Sequence, residues 1–333
     1  MKRVLNYLKY LVPVTVLLLV VGGIHVSRTW DRIYDLPVPE VHASTDSAVI
    51  KRGEYLVFGP AHCVECHSAS FAEYQTLTQG ALPPLVGGVE FSDPILGRIY
   101  SKNLTPDAET GIGRYSDGQI ARMMRWSVRP DGRASIRTLM PFHNMSDDDV
   151  IAIISFLRQQ PPVRHAVPSN EYTLVGKIIK SFAPPFKPRD SVDPPPAAPA
   201  SEATRERGEY LARYVGNCTG CHTQHNGLTL AEAGPQFAGG EAMDGLDFPG
   251  TDKSIGFITP NITPQDGSAL LKFPDRAIFI ARFKFGGRHY PGSPMPWEAF
   301  SRMSEADIGA LYEFLHSLAP QKGPTGEPTV KKG

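Results

Sequence analysis

Cysteine is scarce in this sequence: four residues among 333, at positions 63, 66, 218 and 221. Four cannot build a dense disulfide framework, and they cannot supply a Cys-only zinc centre to each half of the chain. Net charge is missing too. Thirty-four basic residues balance 34 acidic ones, and no basic run occurs, so nothing in the charge pattern points to nucleic acid. Long apolar runs are absent after the first 30 residues. Glycine and proline are plentiful, at 31 each, which suits a loop-rich chain but falls short of a disordered composition. The length suggests about two domains.

The four cysteines sit in two runs of one form, Cys63-Val64-Glu65-Cys66-His67 and Cys218-Thr219-Gly220-Cys221-His222. A bare C-x-x-C also suits half a zinc site or a thiol redox pair. Neither needs a trailing histidine, and neither needs it twice. C-x-x-C-H is the spacing of c-type haem attachment, where two thiols hold the porphyrin and the next imidazole reaches the iron. Two covalently bound haem c groups are expected, with Cys63, Cys66 and His67 on one and Cys218, Cys221 and His222 on the other. No cysteine is then left for a disulfide. Domains of about 115 residues have thin side-chain cores, and a buried porphyrin would complete them.

The N-terminus carries Lys2, Arg3 and Lys9, and Tyr10 to Val26 follows without a formal charge. That is the short end of a bilayer-spanning helix. No good small-x-small cleavage site follows it directly, so an uncleaved signal anchor over 10–27 is expected, with residues 1–9 cytoplasmic. The haem regions would then be periplasmic, on the outer face of the inner membrane. His25 reads as an interfacial residue, and Pro13 as a first-turn proline of the span.

The chain repeats itself. Arg52-Gly53-Glu54-Tyr55-Leu56 returns as Arg207-Gly208-Glu209-Tyr210-Leu211, Asn103-Leu104-Thr105-Pro106 as Asn261-Ile262-Thr263-Pro264, and Met140-Pro141 as Met295-Pro296. Two copies follow, at 46–165 and 201–320, with a spacer at 28–45, a short helix and proline-rich linker at 166–200, and a tail at 321–333. Each copy opens with a helix, near 47–58 and 201–215. Each closes with one that starts at a Ser-x-x-Asp cap, Ser146/Asp149 and Ser304/Asp307. Val150, Ile153, Ile154 and Leu157 share one face, as do Ile308, Leu311, Tyr312 and Leu315; these stripes read as core. The stretches between are expected to be loops and short turns.

A helix ahead of C-x-x-C-H, a Met-Pro loop and a closing helix together resemble the class I cytochrome c fold. The expected architecture is all-α: two tandem class I cytochrome c domains after an N-terminal transmembrane helix. The resemblance implies crossed first and last helices, with Gly53 against Phe156 and Gly208 against Phe314. It also implies a proline carbonyl behind each haem-ligating histidine, Pro84 (or Pro83) and Pro235. Asn-x-Thr-Pro-Asp at 103–107, Gly-Ile-Gly at 111–113 and Met-Pro with a further methionine look like the cytochrome subunits of bacterial membrane-bound alcohol and gluconate dehydrogenases. Those subunits usually carry three haem motifs; this chain has two.

The far side of each iron needs a ligand. Met140 lies 73 residues after His67, and Met295 lies 73 after His222. Each precedes a proline, which fixes the backbone. A thioether opposite an imidazole favours reduced iron, so Met140 and Met295 are assigned that role. Met145 and Met303 are rivals at unequal spacings; His143 and His289 are weaker ones. Met123, Met124 and Met243 read as core filler. Asn103 and Asn261 suit haem propionates or ordinary turns. Leu174, Val175, Ile178, Ile179 and Phe182 form an apolar helix face, suited to the membrane surface or to the protein itself, and 184–200 reads as a stiff linker.

With both irons saturated, the expected function is electron transfer, not catalysis: a membrane-held dihaem carrier between a dehydrogenase or respiratory donor and a downstream acceptor such as a terminal oxidase or another cytochrome. The competing reading is a dihaem redox enzyme, peroxidase-like or thiosulfate-oxidising, which needs an open iron.

Overall fold

The computed structural model describes residues 2–332 except 196, 228–230, 247 and 249, with side chains from residue 10 onward. The basic flank of the N-terminus therefore lies outside the described side chains.

Helix α1 (Lys2–Thr29) begins the chain. Its stretch Tyr10–Thr29 is long and apolar enough to cross a membrane, and none of it is buried against the protein. Because the helix already begins at Lys2, Pro13 lies inside it and not in its first turn. The first copy then runs through α2 (Ser47–Phe58), α3 (Cys63–His67), α4 (Phe71–Tyr74), α5 (Asp117–Trp126) and α6 (Asp147–Gln159). Helix α7 (Leu174–Phe182) leads to the second copy, which holds α8 (Arg205–Tyr210), α9 (Cys218–Cys221), α10 (Arg276–Phe285), α11 (Trp297–Phe300) and α12 (Glu305–His316). After α8 the chain widens into a π-helical turn, Leu211–Val215.

The opening and closing helices of each copy cross as the resemblance implied. A β-carbon on Gly53 would stand 1.9 Å from the Ala152 carbonyl oxygen and 2.8 Å from Phe156 Cβ. On Gly208 it would stand 1.9 Å from the Ala310 oxygen and 2.7 Å from Phe314 Cβ. Only glycine lets two backbones approach this closely. Val150, Ile153, Ile154 and Leu157 are buried beneath the first crossing, and Ile308, Leu311 and Leu315 beneath the second. Each fully buried aliphatic side chain contributes about 1.5–3 kcal/mol.

The closing helices start at their serines. Ser146 Oγ accepts from Asp149 N at 3.2 Å, and Ser304 Oγ from Asp307 N at 3.0 Å. The return half of a capping box is not made, because the aspartates turn to arginine. Arg52 grips Asp149 and Arg207 grips Asp307, each through two bonds of 2.8–3.0 Å. The tyrosine three residues after each arginine crosses to the other copy. Tyr55 donates to Asp307 at 2.6 Å and accepts from Ser304 N, while Tyr210 donates to Asp149 at 2.8 Å and accepts from Ser146 N. The two copies complete each other's helix starts.

Three findings depart from the all-α expectation of helices joined by loops. First, α5 and α10 occupy the middle of each copy; α5 starts in a full capping box at Ser116 and Gln119, and α10 at an Asp275 cap. Second, the described residues form two small antiparallel sheets. The hairpin β1 (Glu90–Asp93) and β2 (Gly97–Tyr100) takes a third strand, β3 (Glu171–Tyr172), from beyond α6. The hairpin β4 (Ala242–Asp244) and β5 (Ile255–Ile258) takes β6 (Thr329–Lys331) from beyond α12. Third, the proline-rich stretch is not a free spacer. Phe186 is buried, Pro185 accepts from Arg137 N, and Pro199 accepts from Arg207.

Candidate functional site

Each C-x-x-C-H run begins at a residue in the left-handed region, His62 (φ 38°) and Asn217 (φ 51°). Histidine and asparagine are among the side chains that tolerate it. That turn breaks the chain away from the opening helix and starts the short helices α3 and α9. All four cysteines are free. Burial pushes the thiols of Cys63, Cys218 and Cys221 up to about 12, and that of Cys66 up as well. Burial thus disfavours the thiolate on which a thiol redox pair depends.

The histidines are held from behind. His67 Nδ1–H donates to the Lys102 carbonyl at 2.7 Å, and His222 Nδ1–H to the Pro260 carbonyl at 2.8 Å. This places the proton on Nδ1 and leaves the Nε2 lone pair for a metal. Burial pushes both imidazoles down, so they stay neutral. The carbonyls are not those of Pro84 (or Pro83) and Pro235, which the resemblance implied. The loops after those prolines instead hold the histidines' backbone: Gly87 N donates to His67 O at 2.7 Å and Gly239 N to His222 O at 2.8 Å. A β-carbon on Gly87 (φ 68°) would meet the Lys102 carbonyl at 2.5 Å, and one on Gly239 (φ 72°) the Thr259 oxygen at 2.4 Å. The glycines make room for the segment that carries the accepting carbonyl.

Asn103 and Asn261 come next in that segment and make the hydrogen bonds of turn residues. Asn103 Oδ1 accepts from Thr105 N and Oγ1, and its Nδ2 donates to Val163 O at 2.9 Å. Asn261 Oδ1 accepts from Thr263 N and Oγ1, and its Nδ2 donates to Gln321 O at 2.7 Å. Each ties the carbonyl segment to the chain leaving the closing helix.

Cys63, Cys66, His67 and Met140 of the first copy and Cys218, Cys221, His222 and Met295 of the second line one continuous cavity of 1370 Å³. Leu104, Ile112 and Phe142 add apolar wall on one side, and Phe257, Leu270 and Trp297 on the other. The copies meet here: the Glu65 carboxylate acts on the Cys221 thiol, after burial itself, and so does Glu241. Glu65 is buried, which pushes it up to about 8 against the pull of Arg288. Arg288 is itself paired with Glu298 at 2.5 Å.

Of the four rival ligands, three lie off the cavity wall. Met145 and Met303 are fully buried in the core and off the cavity wall. His143 is off the wall, with Nδ1 donating to Pro141 O at 3.2 Å; His289 is on it. Met124 is core as expected, but Met123 and Met243 reach the wall. Sequence reasoning also missed Trp30, Tyr172 and Lys180 on the first copy's rim. Their only signal was a cluster of aromatic and basic residues beside the apolar helix. Two thiols, an imidazole of fixed tautomer and a thioether on an apolar wall, twice over, fit c-type haem.

The comparisons point to the same kind of cofactor. The chain's homologues are cytochrome c subunits of alcohol, fructose and gluconate dehydrogenases and a diheme cytochrome c, and they support haem c as the cofactor. It is 35% identical over 291 residues to the cytochrome c subunit of the alcohol dehydrogenase (quinone) of Gluconobacter oxydans, covering 82% of this chain and 55% of that one. It is 28% identical over 281 residues to a nicotinate dehydrogenase polypeptide of Pseudomonas putida, covering 83% of this chain and 22% of that one. To the diheme cytochrome c-type of Cereibacter sphaeroides it is 27% identical over 238 residues, covering 68% and 71%. The chain thus spans about half, or less, of the length of the first two relatives. No protein-family model matches it.

Proposed function

We propose that the chain is a membrane-anchored dihaem cytochrome c, with two tandem class I domains, that passes electrons between redox proteins on the periplasmic face of the inner membrane. The observation that carries this reading is the pair of complete donor sets on one cavity wall. Cys63 and Cys66 would hold the first haem and Cys218 and Cys221 the second. His67 and Met140 would ligate the first iron, and His222 and Met295 the second. Bound haem supplies a reversible one-electron iron couple. The protein's part is to saturate both irons, exclude water with the apolar wall, and hold the two groups in adjoining compartments. Two protein ligands on each iron would leave no place for substrate, which favours an electron-transfer subunit over a catalyst.

Helix α1 is the anchor; Lys2, Arg3 and Lys9 before it favour the cytoplasmic side, which sends the rest of the chain outward. The relatives' names support a dehydrogenase as electron donor. The acceptor is a downstream oxidase or cytochrome. Nothing in the charge pattern favours nucleic acid.

Spectroelectrochemical titration of the full holoprotein tests this, with Met140 and Met295 each replaced by alanine. The parent should show two one-electron waves, both low-spin. Each replacement should convert one haem to a high-spin or water-ligated form with a lower potential. A high-spin haem in the parent, with rapid turnover of peroxide or thiosulfate, would replace the carrier by an enzyme.

A further inference from the structure

Helix α7 is inside out. Its buried residues are Gly176, Lys180 and Ser181, while Leu174 (74% exposed), Val175 (51%), Ile178 (42%) and Phe182 (58%) face outward. A surface helix in water shows the reverse. The inward face is specified by contacts. Gly176 sits on the Leu96 carbonyl, where a β-carbon would lie 2.3 Å from the oxygen. The Lys180 ammonium reaches Asp31 at 3.6 Å and lies over the Trp30 ring at 5.4 Å. Thr173 caps the helix, accepting from Gly176 N, and its own N–H donates to Leu96 O. The orientation is therefore built, and the apolar side is left out on purpose.

We infer that the outward face of α7 lies in the lipid headgroup–acyl boundary as a second membrane contact beside α1. This rests on the reading of α1 as a membrane span. Continuity selects lipid over a protein partner. Phe182 stacks on His25 of α1 with ring centroids 4.8 Å apart, and Lys177 caps the Trp30 ring at 4.5 Å. The exposed side of α7 thus runs directly into the exposed apolar side of α1, at Ile24 and Val21. From Trp30 back to His25 is about 7 Å at the helical rise, so Phe182 falls at the depth at which interfacial helices bury their apolar face, about 5–10 Å. Trp30 packs edge-on against Tyr172 at this level, as an aromatic belt does. Ile95, exposed at the tip of the β1–β2 hairpin beside α7, extends the patch.

The test places a photoreactive benzoylphenylalanine, one site at a time, at Leu174, Phe182, Leu17 and Glu305 of the full holoprotein in its native membrane. Mass spectrometry then identifies the adducts. Lipid adducts at 174 and 182 as well as at 17, and none at 305, are expected. Protein adducts at 174 and 182, or no lipid adducts there while Leu17 gives them, would overturn the α7 contact and leave the anchor standing. Absence of lipid adducts at Leu17, together with release of the chain by a carbonate wash, would overturn the anchor and this contact with it. A companion variant, Leu174→Glu with Ile178→Glu, should keep both haem spectra yet lose the lipid adduct at 182.

Discussion

The two copies make the same bonds with the same residues, yet they are not equally shielded. In the second, Arg207 and Asp307 are 1% and 0% exposed; in the first, Arg52 is 26% exposed over an Asp149 at 3%. The difference comes from what precedes each copy. Pro199 accepts from Arg207 and Ser201 donates to Asp307 at 3.2 Å, so the end of the linker folds over the second pair. In the first, Ser44 N donates to Ser155 at 2.7 Å and not to the aspartate. Identical motifs are shielded differently by their flanks.

The widest contrast should come from breaking the arginine pairs. Arg207→Ala leaves a buried carboxylate without its cation, at a cost of about 3–5 kcal/mol. Arg52→Ala, where Tyr210 still donates to Asp149 and water reaches the arginine's place, should cost less, about 1–3 kcal/mol. Denaturant titration of the holoproteins measures both, and equal losses would refute the role given to the linker. Next in size are the helix crossings. Gly53→Ala and Gly208→Ala each place a methyl into a carbonyl and should each cost about 3 kcal/mol. Gly326→Ala, with nothing within 4 Å, should be close to neutral.

The crossed tyrosines allow a sharper test. Tyr55→Phe and Tyr210→Phe each remove a bond to a charged group, about 1.5–3 kcal/mol. Their effects should appear in the opposite copy: hydrogen exchange should rise at the start of α12 in the first variant and of α6 in the second. The smallest effect concerns acid. Burial pushes the Asp307 carboxyl up, but the hydrogen bonds and charge of Arg207, with Tyr55 and Arg52 behind them, outweigh it and hold the group below the usual carboxylate range. Its contribution is therefore complete above the unfolded value of about 3.9 and is lost as pH falls through the lower folded value. Asp307→Asn should remove that part of the acid transition in a pH titration of stability, and leave the profile above about pH 5 flat.

Much of the plan was legible because it was written twice. The Cys-x-x-Cys-His spacing marked both candidate runs, the repeat matched the two Met-Pro turns, and the family resemblance implied the pairing of Gly53 with Phe156 and Gly208 with Phe314. Other features rest on contacts that no local pattern announces. The carbonyl behind His67 belongs to Lys102, 35 residues downstream, brought in by the left-handed Gly87. The sheets need β3 and β6 from beyond the closing helices, and two- or three-residue strands carry no periodicity. Helix α5 was hidden among glycines and turns, although its Ser116-x-x-Gln119 start was readable. The exchange of Tyr55 and Tyr210 was unreadable in principle, since a tyrosine in an opening helix looks like core until its partner is seen across the interface.

That exchange has a consequence for the history of the chain. A duplicated module can ordinarily be dropped, shuffled or fused elsewhere. Here neither half can be cut away without stranding an aspartate and a serine that the other half's phenol satisfies. Once the phenols had crossed over, the duplication became an inheritance that could drift in its loops but could no longer be divided.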